Sequence, residues 1–152
     1  MSYPEAATKA AIEVKAKLSE KYKITNLSPA RKFVGIEIHC DGTGDGTRVS
    51  LRQKAFIITI LRRFGLEHTQ DVLTPMVPNV KLDLADDRGE KELEDITDYQ
   101  AVGGSLIYAA LAARRDISYV VAAHSRYNSE PFTRHMTAAK GVLHYLKSTA
   151  NF

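Results

Sequence analysis

The sequence predicts an α+β protein: an N-terminal helix and a small antiparallel β-hairpin, followed by a helical bundle. Three observations predict it. Apolar residues recur at helical spacing near both ends of the chain, but alternate one by one over residues 33–39. Strand-like segments do not alternate with crossover helices, which argues against a doubly wound sheet. An acidic stretch, residues 83–96, separates the mixed N-terminal region from the helical remainder and is the best candidate boundary.

Each element has its own signature. Over residues 5–22, Ala7, Ala10, Ala11, Val14 and Leu18 recur at helical spacing, with Lys9, Glu13, Lys17 and Lys21 elsewhere. Asn26-Leu27-Ser28-Pro29 ends that pattern. Val34, Ile36 and Ile38 alternate with Phe33, Gly35, Glu37 and His39, which is strand periodicity. Residues 41–46 form a turn and residues 47–51 a returning strand. Gly35 within the strand pattern implies a bulge, a sharp bend or a close backbone approach. Residues 53–64 form an amphipathic helix with Phe56, Ile57, Ile60, Leu61 and Phe64 on one stripe, and Gly65 stands where a C-terminal cap belongs. Three helices follow. Thr97 and Gln100 read as a capping box opening the first, to about residue 113. Asp116 caps the second, and Thr133 the third, which turns Met136, Ala139, Val142, Leu143 and Leu146 inward.

Composition narrows the function classes. A lone cysteine excludes an internal disulfide and fits a reducing compartment. The start has no basic and apolar leader, and the longest apolar run is too short for a bilayer. An intracellular protein, cytoplasmic or nuclear, without membrane contact is expected. Residues 83–98 hold eight acidic and two basic residues; taking these from the chain's 18 and 21 leaves 10 acidic against 19 basic. That surplus attracts polyanions, of which nucleic acid is the commonest, and equally fits a solvated basic surface.

Motifs for other chemistries fail on spacing. Gly42, Gly44 and Gly46 do not make a dinucleotide fingerprint, since the third glycine is one place early and no helix begins there. Asp41, Asp45 and Gly46 imitate a calcium loop whose twelfth position is Arg52 instead of a glutamate. The histidines lack metal-ligand spacing, and Ser105, His124 and Asp116 lack a nucleophile turn. Asp86-Asp87 is better read as solvated charge than as a magnesium site. No catalytic residue and no metal or cofactor site is expected in this chain.

One pattern is positive. Tyr99-Gln-Ala-Val-Gly-Gly-Ser-Leu-Ile-Tyr108, Arg115-Asp-Ile-Ser-Tyr119, Ser125-Arg126 and the run Ala138–Thr149 occur in order. Ahead of them stand Phe33-Val-Gly-Ile-Glu-Ile38, Ser50-Leu-Arg-Gln-Lys54, Leu61-Arg-Arg-Phe-Gly65 and Thr74-Pro-Met76. Together they resemble the C-terminal palm, thumb and connection part of the reverse transcriptase of copia-type long-terminal-repeat retrotransposons. The resemblance covers roughly residues 15–150. Arg115 departs from the family's proline, and Gly103 from its branched apolar residue.

The resemblance implies a division into a palm remnant with the primer-grip hairpin and first thumb-side helix (1–82), an acidic linker (83–96) and a helical thumb and connection region (97–152). It puts Phe33, Val34, Gly35 and Ile36 on the primer grip, where a glycine lets backbone bend tightly or approach a phosphate; by residue chemistry alone Gly35 fits a bulge in a structural sheet. It puts Gln100, Gly104 and Tyr108, at i, i+4 and i+8, on a helix stripe along the minor groove of the template–primer duplex, contacts that read shape and not sequence. The alternative is a core tyrosine and a helix–helix glycine. Lys54, Arg62, Arg63, Arg114, Arg115 and Arg126 are the candidate phosphate contacts. The family's paired polymerase aspartates have no counterpart in residues 1–60, so this fragment is expected not to polymerise. Magnesium is expected only in the full polymerase. The implied partners are an RNA–DNA or DNA duplex and the catalytic half of the polymerase. The leading alternative is a domesticated retrotransposon-derived interaction or structural module without a nucleic-acid role.

Overall fold

A computed structural model describes residues 3–25, 30–42, 48–76, 82 and 93–151. It is mixed α and β, as the periodicities predict. Helix α1 (Tyr3–Lys21) is followed by strands β1 (Lys32–Phe33), β2 (Ile36–Asp41) and β3 (Arg48–Arg52). Then come helices α2 (Lys54–Arg63), α3 (Thr97–Ala112), α4 (Ser118–Ser125) and α5 (Thr133–Ser148), with a 3₁₀ turn at Arg115–Ile117. The strands form one sheet in the order β1–β2–β3. The break at Asn26–Pro29, the loop tip at 43–47, Asp86-Asp87 and most of the acidic stretch lie outside the described residues. No helix among those described is long and apolar enough to cross a membrane.

The chain divides into two compact units, Met1–Arg31 with Ile38–Ser50, and Lys32–Glu37 with Leu51–Phe152. The division passes through the sheet, whereas the sequence places the boundary at the acidic stretch. Helix α2 accordingly lies in the unit of the helical bundle, because it packs on α5.

In the first unit, the described side chains of α1 remain exposed, including Val14 and Leu18 of its apolar stripe. In the second unit the helical stripes meet. Tyr99, Val102, Leu106 and Ala109 of α3 pack with Val120 and Val121 of α4, with Ala139, Val142, Leu143 and Leu146 of α5, and with Ile57, Ile60 and Leu61 of α2. Burying each large apolar side chain contributes about 1.5–3 kcal/mol before the entropy of ordering it is subtracted.

Helix ends show where local rules hold. Gly65 caps α2 as expected: its φ is +67°, its N–H donates to Arg62 O (3.1 Å), and the Leu66 N–H reaches Leu61 O (2.9 Å). That pair of bonds is a Schellman motif, which needs the left-handed residue glycine supplies. The expected N-caps are corrected. Thr97 is the first helical residue of α3, and its N–H donates to the Asp95 carboxylate (2.7 Å), so no Thr97–Gln100 capping box forms. Thr133 is likewise inside α5; the Phe132 N–H is taken by His135 Nδ1 (3.0 Å). Asp116 does not cap α4, because its carboxylate is drawn to Arg114 and Tyr145.

That last network is built around a buried arginine. Arg114, 3% exposed, donates from Nε and Nη2 to the two Asp116 oxygens (3.0 and 2.6 Å). It also donates to the carbonyl (3.1 Å) and hydroxyl (2.6 Å) oxygens of Thr149, past the end of α5. The Tyr145 hydroxyl donates to Asp116 (2.8 Å). Burial on its own raises the Asp116 pKa, but the bonds from Arg114 and Tyr145 and the Arg114 charge outweigh it and hold the carboxyl below its ordinary value. Only a planar, forked cation makes this set of contacts.

A second buried group holds the α4–α5 face. The Tyr99 hydroxyl donates to His124 O (2.9 Å), and Tyr127 stacks on His135 at 4.1 Å. With Nδ1 accepting from Phe132, His135 carries its proton on Nε2 and donates it to Leu82 O (3.2 Å). Burial, then the neighbouring His135 ring, which disfavours a second proton beside it, pushes His124 down to about 4 from 6.5. Burial, then Tyr127, pushes Tyr99 up to about 12.

Two outcomes follow for stability. Replacing Arg114 with Ala leaves Thr149 without its donor and Asp116 with only the Tyr145 hydroxyl; since Asp116 is 37% exposed and solvent screens its charge, the expected loss is about 1–3 kcal/mol in denaturant unfolding. Arg114→Lys recovers little of that loss, since lysine lacks the fork. His124 takes up its proton near 6.5 when unfolded but only near 4 when folded. Its contribution is therefore complete above pH 6.5 and is lost as pH falls towards 4. Thermal unfolding from pH 7.5 to 4 is expected to show a falling Tm in wild type and a shallower fall in His124→Gln; parallel slopes contradict this.

Candidate nucleic-acid interface

The expected strand from Phe33 is interrupted. β1 and β2 pair antiparallel with Lys32 opposite Glu37 and Phe33 opposite Ile36, leaving Val34 and Gly35 as a two-residue turn. Both turn residues have positive φ, +46° and +79°, as a tight type I′ hairpin requires. Of the three options for Gly35, the structure shows the sharp bend together with a close approach. Val34 is the unexpected residue. A β-branched side chain in the left-handed region costs about 1–3 kcal/mol and persists only where its surroundings hold it.

The holding group is Tyr108 of α3. Its hydroxyl donates to the Val34 carbonyl oxygen. A Cβ on Gly35 would lie 3.4 Å from that same hydroxyl oxygen. The Tyr108 ring meets Phe56 of α2 edge to face, with centroids 4.6 Å apart. Beside the turn, the Ala55 N–H in the first turn of α2 faces a Glu37 carboxylate oxygen at 3.4 Å. The tip itself stays open to solvent: Phe33 is 68% exposed and Val34 65%. Ile36 is half-buried.

Two residues expected on one stripe are therefore engaged within the fold. Tyr108 is half-buried against the hairpin, and the Gln100 side-chain amide donates to Asn128 O (3.0 Å) while remaining exposed. Gly104 is exposed, and a Cβ there would meet nothing within 4 Å, which leaves the helix–helix explanation without support. The line of α3 that faces solvent runs through Gln100, Gly104, Ile107 and Leu111, at i, i+4, i+7 and i+11. Nothing in the sequence marks Ile107 and Leu111, because isolated apolar residues on a largely apolar helix read as core. Leu111 is in fact 77% exposed.

The six cations separate into three kinds. Arg114 is withdrawn from the phosphate-contact set, since it is buried and its guanidinium is committed to Asp116 and Thr149. Arg62 is exposed and paired with Glu67 at 2.9 Å. Lys54, Arg63, Arg115 and Arg126 are exposed. Arg63 lies over the Phe64 ring and Arg126 over the Tyr127 ring, with 5.4 and 6.0 Å to the centroids. Among the described residues, no group of three His, Cys, Asp or Glu side chains is placed to hold a metal ion. A cavity of about 640 Å³ between α4, α5, residues 72–76 and Leu82 is lined by side chains including Val72, Met76, Val120 and His144, and by none of these expected contact residues.

No protein-family model matches the chain, and no solved structure matches it significantly. Curated relatives do. A retrovirus-related Pol polyprotein from transposon RE1 of Arabidopsis thaliana is 36% identical over 134 residues, covering 88% of this chain and 9% of the polyprotein. The corresponding polyprotein from transposon TNT 1-94 of Nicotiana tabacum is 29% identical over 143 residues, 90% of this chain and 10% of its own length. A transposon Ty5-1 protein of Saccharomyces cerevisiae is 32% identical over 136 residues, 90% of this chain and 42% of its own. The chain thus spans about a tenth of the polyproteins and less than half of the yeast protein. Over about nine-tenths of its length, it is a homologue of one segment of copia-type retrotransposon Pol polyproteins.

Proposed function

We propose that this chain is the part of a retroelement polymerase that grips a template–primer duplex. In this reading Phe33, Val34, Gly35 and Ile36 lie at the primer end, and the exposed line of α3 runs along the minor groove of an RNA–DNA or DNA duplex. One observation carries the reading: the hairpin turn and α3, 74 residues apart in sequence, meet at the Tyr108–Val34 hydrogen bond. Two segments singled out for separate contacts with one duplex thus belong to one surface. Homology to Pol polyproteins supports the same reading.

The mechanism is positioning. Gly104, with open space in front of it, lets an approaching sugar–phosphate edge reach the helix backbone. Ile107 and Leu111 supply apolar contact to sugar faces, which is independent of sequence. Lys54, Arg62, Arg63, Arg115 and Arg126 supply charge to phosphates, Arg62 after releasing Glu67. Two-metal phosphoryl transfer needs carboxylates holding both ions. The catalytic half of the polymerase supplies these, binds the magnesium and is the protein partner.

A second reading, an interaction module without a nucleic-acid role, is favoured by the exposed Leu111 and Tyr119, at 77% and 80%. Binding of a fluorescent RNA–DNA hybrid as a function of salt separates the two. The grip predicts affinity that falls steeply with salt, with the log–log slope reduced by about one when Lys54, Arg63, Arg115 or Arg126 is replaced by alanine. No binding at low salt contradicts it. Gly104→Ala gives a sharper result. Alanine fits the space, so the helix gains about 1 kcal/mol, yet hybrid binding is expected to weaken. A stabilised variant that binds equally well removes α3 from the groove.

A further inference from the structure

The sequence assigns Tyr108 to duplex contact, whereas its hydroxyl is bonded to the hairpin. We propose that Tyr108 is a positioning residue: a latch that holds the Val34–Gly35 turn in its left-handed conformation and ties the primer-end hairpin to the helix that tracks the duplex. The inference rests on the grip reading and adds to it a coupling between its two parts.

Four observations converge on the latch. Val34 occupies a backbone region that β-branched residues avoid, so the turn residues do not by themselves favour this turn. The carbonyl that Tyr108 holds is Val34's own, so the bond acts on the peptide joining the two positive-φ residues. Gly35 has a φ of +79° that other residues reach only with strain, and a Cβ there would already touch the hydroxyl at 3.4 Å. The ring is fixed in turn by its edge-to-face contact with Phe56, in the same turn of α2 whose Ala55 N–H faces Glu37 of β2. Turn, α2 and α3 thus share one small cluster, while Phe33 and Val34 keep exposed side chains on its outer side. A displacement of α3 along its axis would pull on the Val34 carbonyl directly. The hairpin then follows the helix, and the primer end stays in register with the tracked groove.

The test uses the whole chain and Tyr108→Phe, which keeps the ring on Phe56 and removes only the hydroxyl. Hydrogen exchange reads the latch without any ligand. Amides of residues 33–37 are expected to exchange about three- to tenfold faster in Tyr108→Phe, the fold-change of one lost hydrogen bond, with those of α4 and α5 unchanged. Binding reads the coupling, using one RNA–DNA hybrid with a recessed 3′ end and one blunt hybrid of the same length. The ratio of the two affinities is expected to fall about threefold or more in Tyr108→Phe. Gly35→Ala, which strains the left-handed turn at φ +79°, is expected to shift the ratio in the same direction. Unchanged exchange at residues 33–37 overturns the latch. Faster exchange with both affinities lowered equally overturns the coupling while leaving the grip in place. Failure of the wild-type chain to bind either hybrid overturns the grip reading and the coupling together, and the exchange result then judges the latch alone.

Discussion

Burial of one side of α3 is the constraint on which the other features depend. Tyr99, Val102, Leu106 and Ala109 are closed off from solvent between α4 and α5, which fixes the rotation of the helix about its axis. A helix fixed at one face has its remaining faces fixed as well. Tyr108, two residues beyond Leu106, is turned to the hairpin. Gly104, Ile107 and Leu111 are turned to solvent. No separate arrangement is needed to place the hairpin contact and the open line on one helix; they follow from which residues the core takes.

Charge is distributed to the same end. Arg114, next to the last turn of α3, is drawn inward by Asp116, Tyr145 and Thr149, and secures the junction of α3 with the end of α5. Arg115, its neighbour, is exposed. Adjacent arginines at a helix end thus do opposite things, one as part of the fold and one as part of its surface. The difference lies in which of them is itself buried and met there by a carboxylate and the oxygens of Thr149.

Much of this was legible in the sequence, and the parts that were not share a cause. The α+β order, the stripe of α2 and the Gly65 cap were readable, because periodicity and a left-handed glycine are local signals. The three N-caps differ from the local pattern because Asp95, Phe132 with His135, and Arg114 offer competing partners that no local pattern reveals. The strand from Phe33 looks continuous in sequence because its alternation persists through a turn whose first residue is a valine, and the group bonded to that turn is a tyrosine 74 residues away. On α3, spacing gives a face but not the direction in which the core lies, so it does not distinguish Tyr108 turned to the hairpin from Ile107 and Leu111 turned to solvent.

The central claim is that the hairpin tip and the open line of α3 face one duplex. Photo-crosslinking from the 3′-terminal nucleotide of the primer, and from a nucleotide about five base pairs back in the duplex, tests it most directly. Adducts are expected at residues 33–36 from the terminal position and on the exposed side of α3, at Gly104, Ile107 or Leu111, from the internal one. Adducts confined to α1, or to α5 around the 640 Å³ cavity, contradict it.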